Sequence, residues 1–104
     1  MLKIDKLDDN RFLVTIEGTD RLNASIAAVV KEELSEQLVK SGYNLTLGLQ
    51  NIRFIDSTGI GVLISALKAA RENKGSFVLQ NVNKDVYSLL TLMKLDKVFD
   101  FEMD

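Results

Sequence analysis

The amino-acid sequence predicts an α/β domain with a mixed sheet of four to five strands and helices packed on it. Short segments with alternating apolar residues are interleaved with longer segments whose apolar residues recur at helical spacing, a pattern typical of strands and helices in turn. A length of 104 residues fits one compact domain, which we expect to span 1–104. A composition of 46% hydrophobic and 27% charged residues is ordinary for a globular protein that buries a core.

The first segment predicts a β-hairpin, whose antiparallel pair makes the sheet mixed. Apolar residues alternate up to a turn-like Asp8-Asp9-Asn10 and again up to Gly18. They are Leu2, Ile4 and Leu7 before the turn, and Phe12, Val14 and Ile16 after it.

A first helix is predicted next, with Asn23 or Ser25 as its cap and Ser41-Gly42 as its stop. Its apolar stripe recurs every four residues and consists of Ile26, Val30, Leu34 and Leu38. A short strand is then indicated by Leu45, Leu47 and Leu49. After it, we expect the chain to be carried inward by Ile52, Phe54 and Ile55.

A second helix is expected to begin near Asp56 and to end around Asn73-Lys74-Gly75. Its apolar stripe, which should be buried against the sheet, consists of Ile60, Leu63, Ile64, Leu67 and Ala70. On its other side are small apolar residues that either form a docking surface or are covered by a neighbouring helix: Val62, Ala66 and Ala69.

The last third of the chain predicts a buried strand at Phe77-Val78-Leu79 and a third helix capped by Asn83. The stripe of this helix consists of Val86, Leu89, Leu90 and Met93. The tail Val98-Phe99-Asp100-Phe101 either forms a last short strand or packs its aromatic rings. The element order is therefore β-β-α-β-α-β-α, with parallel strands joined by right-handed crossovers.

The composition of the chain disfavours several classes of function. Without cysteine or histidine the chain has no disulfide framework, no thiolate metal site and no imidazole ligand, so we expect neither a metal nor a cofactor. A net charge of −2, spread along the chain, disfavours direct nucleic-acid binding. Neither a signal peptide nor a membrane-length apolar stretch is present, which favours a cytoplasmic protein without a membrane partner.

The most informative segment is Asp56-Ser57-Thr58-Gly59-Ile60-Gly61, a strand-to-helix turn with a hydroxyl group at its apex. Asp56 or Ser57 can cap the first helical turn, and the glycines allow tight backbone geometry or a close neighbour. Each glycine costs about 1 kcal/mol inside a helix relative to alanine. Tight packing or a docked partner would compensate for this cost, so a purely structural turn and a binding site both remain open.

Catalysis is disfavoured at this turn. A nucleophilic Ser57 needs an activating base, yet the chain has no histidine, and Lys68 lies three turns along the helix. The pair Gly59-x-Gly61 lacks the third glycine of a dinucleotide fingerprint, and no lysine follows to make a P-loop. We therefore expect a protein that is not an enzyme.

The segment from Asn51 to Gly61 resembles the signature turn of STAS-domain anti-sigma factor antagonists. The element order, the length and the closing pattern Leu89-Leu90-x-x-Met93-x-x-Leu95-x-x-Val98-Phe99 resemble that family too. The resemblance implies partner switching, in which the unmodified protein binds an anti-sigma factor serine kinase and so releases a sigma factor. Phosphorylation by that kinase reverses the binding, and a serine phosphatase restores it.

Carried over to this chain, the resemblance implies that Ser57 is the phosphoacceptor, exposed at the start of the second helix. It implies a partner surface made of Asp56, Ser57, Thr58, Gly59, Ile60 and Gly61, and a second patch in the loop Gly18-Thr19-Asp20-Arg21-Leu22-Asn23. Two positions depart from the family pattern. The loop is one residue shorter and offers Asp20, and Gly48 stands where aspartate or asparagine is frequent. The alternative within the family is a STAS module of a stress-signalling scaffold or a lipid-transport assembly.

Overall fold

The computed structural model describes residues 1–8 and 11–102. The chain forms three helices and seven strands over these residues. The strands are β1 (Leu2–Asp8), β2 (Arg11–Ile16), β3 (Arg21–Leu22), β4 (Asn44–Gly48), β5 (Phe54–Ile55), β6 (Ser76–Gln80) and β7 (Asp100–Glu102). The helices are α1 (Ala24–Lys40), α2 (Ser57–Glu72) and α3 (Lys84–Leu92). The hairpin residues Asp9 and Asn10 of the predicted turn lie outside the described residues.

The main sheet has five strands in the order β1-β2-β4-β6-β7, which confirms the predicted mixed α/β fold. Strand β1 pairs antiparallel with β2, and the remaining neighbours are parallel. The tail forms a strand, the first of the two predicted outcomes. The sequence missed a second sheet, in which β3 and β5 pair in parallel with Arg21 opposite Phe54 and Leu22 opposite Ile55.

The helices pack on one face of the main sheet. Successive parallel strands step in one direction across the sheet, so right-handed crossovers place all three helices on the same side. Burial agrees with this arrangement, because Leu45 and Leu47 are buried whereas Thr46 between them is half-buried. Strand β6 shows the same alternation, with Phe77 and Leu79 buried and Val78 half-buried.

Helices α1 and α2 largely follow their predicted stripes. Asn23 caps α1, and its side-chain oxygen accepts a hydrogen bond from the Ser25 amide at 3.1 Å. The predicted stripes are buried except for Ile26 and Ile64, which are half-buried at their edges. Helix α1 covers Val62 and Ala66, so these small residues pack between the two helices, while Ala69 is half-buried.

Two details of the sequence-based prediction are wrong, and a third holds only in part. Phe54 is not carried inward but is 54% exposed, because its neighbour Ile55 takes the inward position in β5. Met93 does not join the buried stripe of α3, since the helix ends at Leu92 and leaves Met93 exposed. Asn83 occupies the predicted N-cap position of α3, but its side chain makes no cap bond. Its amide instead donates to the backbone oxygens of Gln50 and Ile52, at 3.0 and 2.6 Å.

Candidate functional site at the start of helix α2

The turn between β5 and α2 is held by the carboxylate of Asp56. Asp56 is the N-cap of α2, with extended backbone angles, and its Oδ1 accepts a hydrogen bond from the Gly59 amide at 2.9 Å. Of the two capping residues that the sequence offered, the structure therefore uses Asp56. Ser57 is the first residue of the helix and is exposed, so its hydroxyl is open to an enzyme or a partner.

The same carboxylate also holds the start of α1. Oδ2 of Asp56 accepts a hydrogen bond from the backbone amide of Ala24, the first residue of that helix, at 3.1 Å. One side chain thus accepts a hydrogen bond from one amide at each of two helix N-termini, where free N–H groups favour an anion. These bonds, led by the one from Gly59, lower the pKa of Asp56 below its ordinary value of 3.8, against an opposing effect of desolvation.

This lowered pKa predicts a pH-dependent contribution to stability. Because the folded pKa of Asp56 lies below the unfolded one, its stabilising effect is complete above about pH 4 and is lost as pH falls through the folded pKa. We expect Asp56→Asn to lower the free energy of unfolding at neutral pH. The difference in this free energy between wild type and variant should narrow in acid. Denaturant unfolding at several pH values measures that gap.

Asn23→Ala is the matched control, because it removes a cap of α1 that carries no titratable group. Its cost should stay constant over the same pH range. A constant gap for Asp56→Asn as well would show that the carboxylate charge does not stabilise the two helix starts.

The two glycines of the turn have different environments. A Cβ atom on Gly59 would lie 2.1 Å from the backbone oxygen of Leu22, so α2 can approach β3 this closely only with glycine there. A Cβ atom on Gly61 would meet nothing within 4 Å, and Gly61 does not have the positive φ that favours glycine. The fold therefore explains Gly59 and does not explain Gly61.

A shallow groove of about 450 Å³ runs from this turn along the seam between α1 and α2. Its lining is mostly small and apolar, with one cation, and consists of Ala24, Ala27, Ala28, Lys31, Thr58, Gly61, Val62 and Ser65. The open space above Gly61 belongs to this groove. It offers a partner a close approach to backbone directly beside Ser57.

The loop that carries Asp20 lies against the same turn. The backbone oxygen of Asp20 accepts hydrogen bonds from the amides of Arg53 and Phe54, at 2.8 and 3.1 Å. The side chain of Asp20 is exposed and pairs with Arg21 at 3.7 Å. The structure thus brings Asp20 close to the backbone of β5, just before Asp56. Gly48 is buried at the end of β4, where a Cβ atom would meet the side chain of Gln50 at 2.7 Å.

Sequence reasoning missed one exposed feature of this region. The guanidinium group of Arg21 stacks on the ring of Phe54, 4.7 Å from its centre, and both side chains are exposed. An aromatic ring with a stacked arginine is a frequent anchor in protein interfaces. The polar-apolar alternation of a strand could have placed Phe54 outward, but its pairing with Arg21 depends on the β3–β5 sheet.

Of the residues implied by the family pattern, Asp20, Asp56, Ser57, Thr58 and Gly61 are exposed at this end of the domain. Gly59 and Ile60 are buried, because they pack α2 against β3 and the sheet. No three acidic side chains in residues 1–8 and 11–102 are grouped as a metal ion would require. Within the same ranges, each helix is too short or too polar to cross a bilayer.

The fold and this strand-to-helix turn define an α/β domain of a known family. The family model of the STAS domain matches residues 3–104, and the chain belongs to that family. It is 27% identical to the anti-sigma-B factor antagonist of Listeria monocytogenes, over 97% of this chain and 87% of that protein. It is 28% identical to the anti-sigma-B factor antagonist of Bacillus subtilis, over 91% of this chain and 84% of that protein.

The fold is also similar to that of a solved STAS-domain protein from Planctomyces limnophilus. The TM-score is 0.87 over 99% of this chain and 90% of that one, at 15% sequence identity. This likeness concerns the fold alone. Membership of the family rests on the STAS model, and the two relatives named above are anti-sigma factor antagonists.

Proposed function

We propose that this protein is a cytoplasmic anti-sigma factor antagonist switched by phosphorylation of Ser57. In its unmodified form it binds an anti-sigma factor serine kinase and thereby releases a sigma factor. Phosphate transferred by that kinase to Ser57 ends the binding, and a serine phosphatase restores it. In this proposal the protein is a binding partner and not an enzyme, and it acts on transcription without touching nucleic acid or a membrane.

The observation that carries the proposal is the exposure of Ser57 at the start of α2, beside a groove that the fold leaves open. A substrate hydroxyl must be accessible to the kinase, and Ser57 is exposed as the first helical residue. The helix itself is held by Asp56, which leaves the Ser57 hydroxyl without a structural duty among the hydrogen bonds of the turn. The anti-sigma-B factor antagonists similar to this chain support the class of partner.

The proposed partner surface consists of the exposed members of the family pattern. Thr58 and Gly61 line the groove, Ser57 precedes them at the start of α2, and Asp20 lies in the neighbouring loop. The stacked pair of Arg21 and Phe54, in the strands β3 and β5, adds an apolar anchor with a cation close to this turn in the chain. Stable protein complexes combine an apolar centre with a polar rim, and this surface offers residues of both kinds.

Isolation of the partner is the first test. Unmodified protein is immobilised on a resin and incubated with an extract of the native cell. It should retain a protein kinase homologue, identified by mass spectrometry. The purified kinase and ATP should then phosphorylate Ser57 and leave Thr58 unmodified. Ser57→Ala should bind the kinase and remain bound when ATP is added, because it has no acceptor.

Thr58→Ala is the control for this assay, since Thr58 is an exposed hydroxyl residue one position away. It should be phosphorylated and released by ATP as wild type is. Phosphate on Thr58 in place of Ser57, or retention of a transporter subunit with no kinase, would overturn the proposed switch.

A further inference from the structure

Strand β1 is an edge strand whose outer side has no neighbour among residues 1–8 and 11–102. It is seven residues long, whereas the opposite edge strand β7 has only three. Ile4 of β1 lies opposite Val14 of β2 and on the same face, yet Ile4 is 42% exposed and Val14 is fully buried. A long edge strand with an exposed apolar side chain is a surface on which a further strand can pair.

The backbone of β1 has a defined outward set of hydrogen-bonding groups. The Glu17 amide donates to the oxygen of Met1 at 2.7 Å, and the register then pairs Lys3 with Thr15. Antiparallel strands alternate between bonded and non-bonded pairs, so Lys3 bonds inward to β2. The amide and carbonyl groups of Leu2 and Ile4 consequently point away from β2, toward the free edge.

We propose that β1 is a self-association surface, on which β1 of a second copy pairs antiparallel with Ile4 at the twofold axis. The two Ile4 residues then exchange hydrogen bonds and bring their exposed side chains together. Lys3 of each copy lies opposite Asp5 of the other, which gives two pairs of opposite charge on the same face. The result is a continuous sheet of ten strands across the dimer, twice the five of one chain.

Charge favours this register over the two neighbouring ones. An axis at Lys3 would set two lysines directly opposite each other, and an axis at Asp5 would set two aspartates opposite each other. Both arrangements are unfavourable in an antiparallel pair. Lysines on an edge and the irregular register between Lys6 and Asp8 also limit pairing with unrelated strands. A second copy in the Ile4 register is therefore the occupant that matches the charges.

The contact is short, so the dimer should form in a concentration-dependent way, which sedimentation velocity over a dilution series can measure. A cysteine cross-link tests the register, because the natural chain has no cysteine. In Ile4→Cys the two Cα atoms would be about 5.5 Å apart, within the range of a disulfide. In Lys3→Cys they would be about 8 Å apart, because each residue is displaced by two positions along the strands.

We expect mild oxidation to convert Ile4→Cys to a covalent dimer several times faster than Lys3→Cys. Equal rates for the two variants would overturn the proposed register. Sedimentation of wild type as a monomer at every concentration, up to the solubility limit, would overturn the self-association itself.

Charge exchange supplies a test without cysteine. Lys3→Asp should lower the dimer fraction, because the new aspartate would lie opposite Asp5 of the other copy in each of the two pairs. The double variant Lys3→Asp with Asp5→Lys should restore the dimer, because both pairs would again have opposite charges. Both side chains are exposed, so thermal melts should confirm that each variant folds. Equal dimer fractions in the single and double variants would contradict the pairing. This inference does not rest on the proposed switch, since neither residue belongs to the surface around Ser57.

Discussion

Phosphorylation of Ser57 is expected to weaken binding to the proposed anti-sigma factor kinase by roughly thirty- to several-thousand-fold. A phosphoserine adds about −1.5 to −2 charges at neutral pH. In the proposed interface this charge would stand beside the carboxylate of Asp56 and would need to be desolvated. An uncompensated interfacial charge costs about 2–5 kcal/mol, which gives the expected range of affinity. Calorimetry with the purified kinase measures it.

The domain itself should tolerate the phosphate. The first turn of α2 has free amides and the positive end of the helix dipole, where an anion is neutral or mildly stabilising. Melting curves of the unmodified and phosphorylated forms should therefore stay close together. Circular dichroism on the samples used for calorimetry separates a loss of affinity from a loss of folding.

Ser57→Ala and Ser57→Asp complete this experiment. The alanine variant loses only an exposed hydroxyl group and should bind about as well as wild type. The aspartate variant should be weakened less than the phosphoprotein, because it carries about half the charge and fewer oxygens. An unchanged affinity of the phosphoprotein, or a loss explained by melting, would contradict an interfacial switch.

The sequence predicts the long helices well because each of them buries a stripe that repeats over several turns. Leu63 and Leu67 of α2 illustrate this, since their spacing alone places them toward the sheet. The strands β3 and β5 have two residues each and offer no period from which to identify them. Their pairing depends on contacts between segments about thirty residues apart, which a local pattern does not contain.

In the candidate site, too, local features can be predicted from the sequence, whereas contacts between distant segments cannot. A capping role for Asp56 follows from its place before the helix, but its second bond, to the Ala24 amide, joins residues 32 positions apart. The exposure of Phe54 similarly depends on which side of a two-residue strand faces the core. Gly59 and Gly61 look equivalent in sequence, and only the position of the Leu22 carbonyl distinguishes them.

Alanine at these two glycines is expected to have opposite effects on stability. Gly59→Ala would place a methyl group 2.1 Å from the backbone oxygen of Leu22, so α2 or β3 must move. Such overpacking costs about 1–3 kcal/mol, and each kcal/mol lowers the melting temperature by roughly 4–8 °C in a domain of this size. Gly61→Ala should instead raise stability by about 1 kcal/mol, since a helical glycine is replaced where space is open.

Affinity for the kinase should distinguish Gly61→Ala from a substitution that only stabilises the fold. If the kinase packs against backbone in the groove beside Ser57, the methyl group of Gly61→Ala fills space that the partner needs. Overpacking of that contact would weaken binding by roughly 5- to 150-fold in a protein that is more stable than wild type. Gly59→Ala should lose affinity only as far as it loses folded protein, because Gly59 is buried. If Gly61→Ala were stabilised and bound the kinase as wild type does, the groove would lie outside the interface, and the glycine would need another explanation.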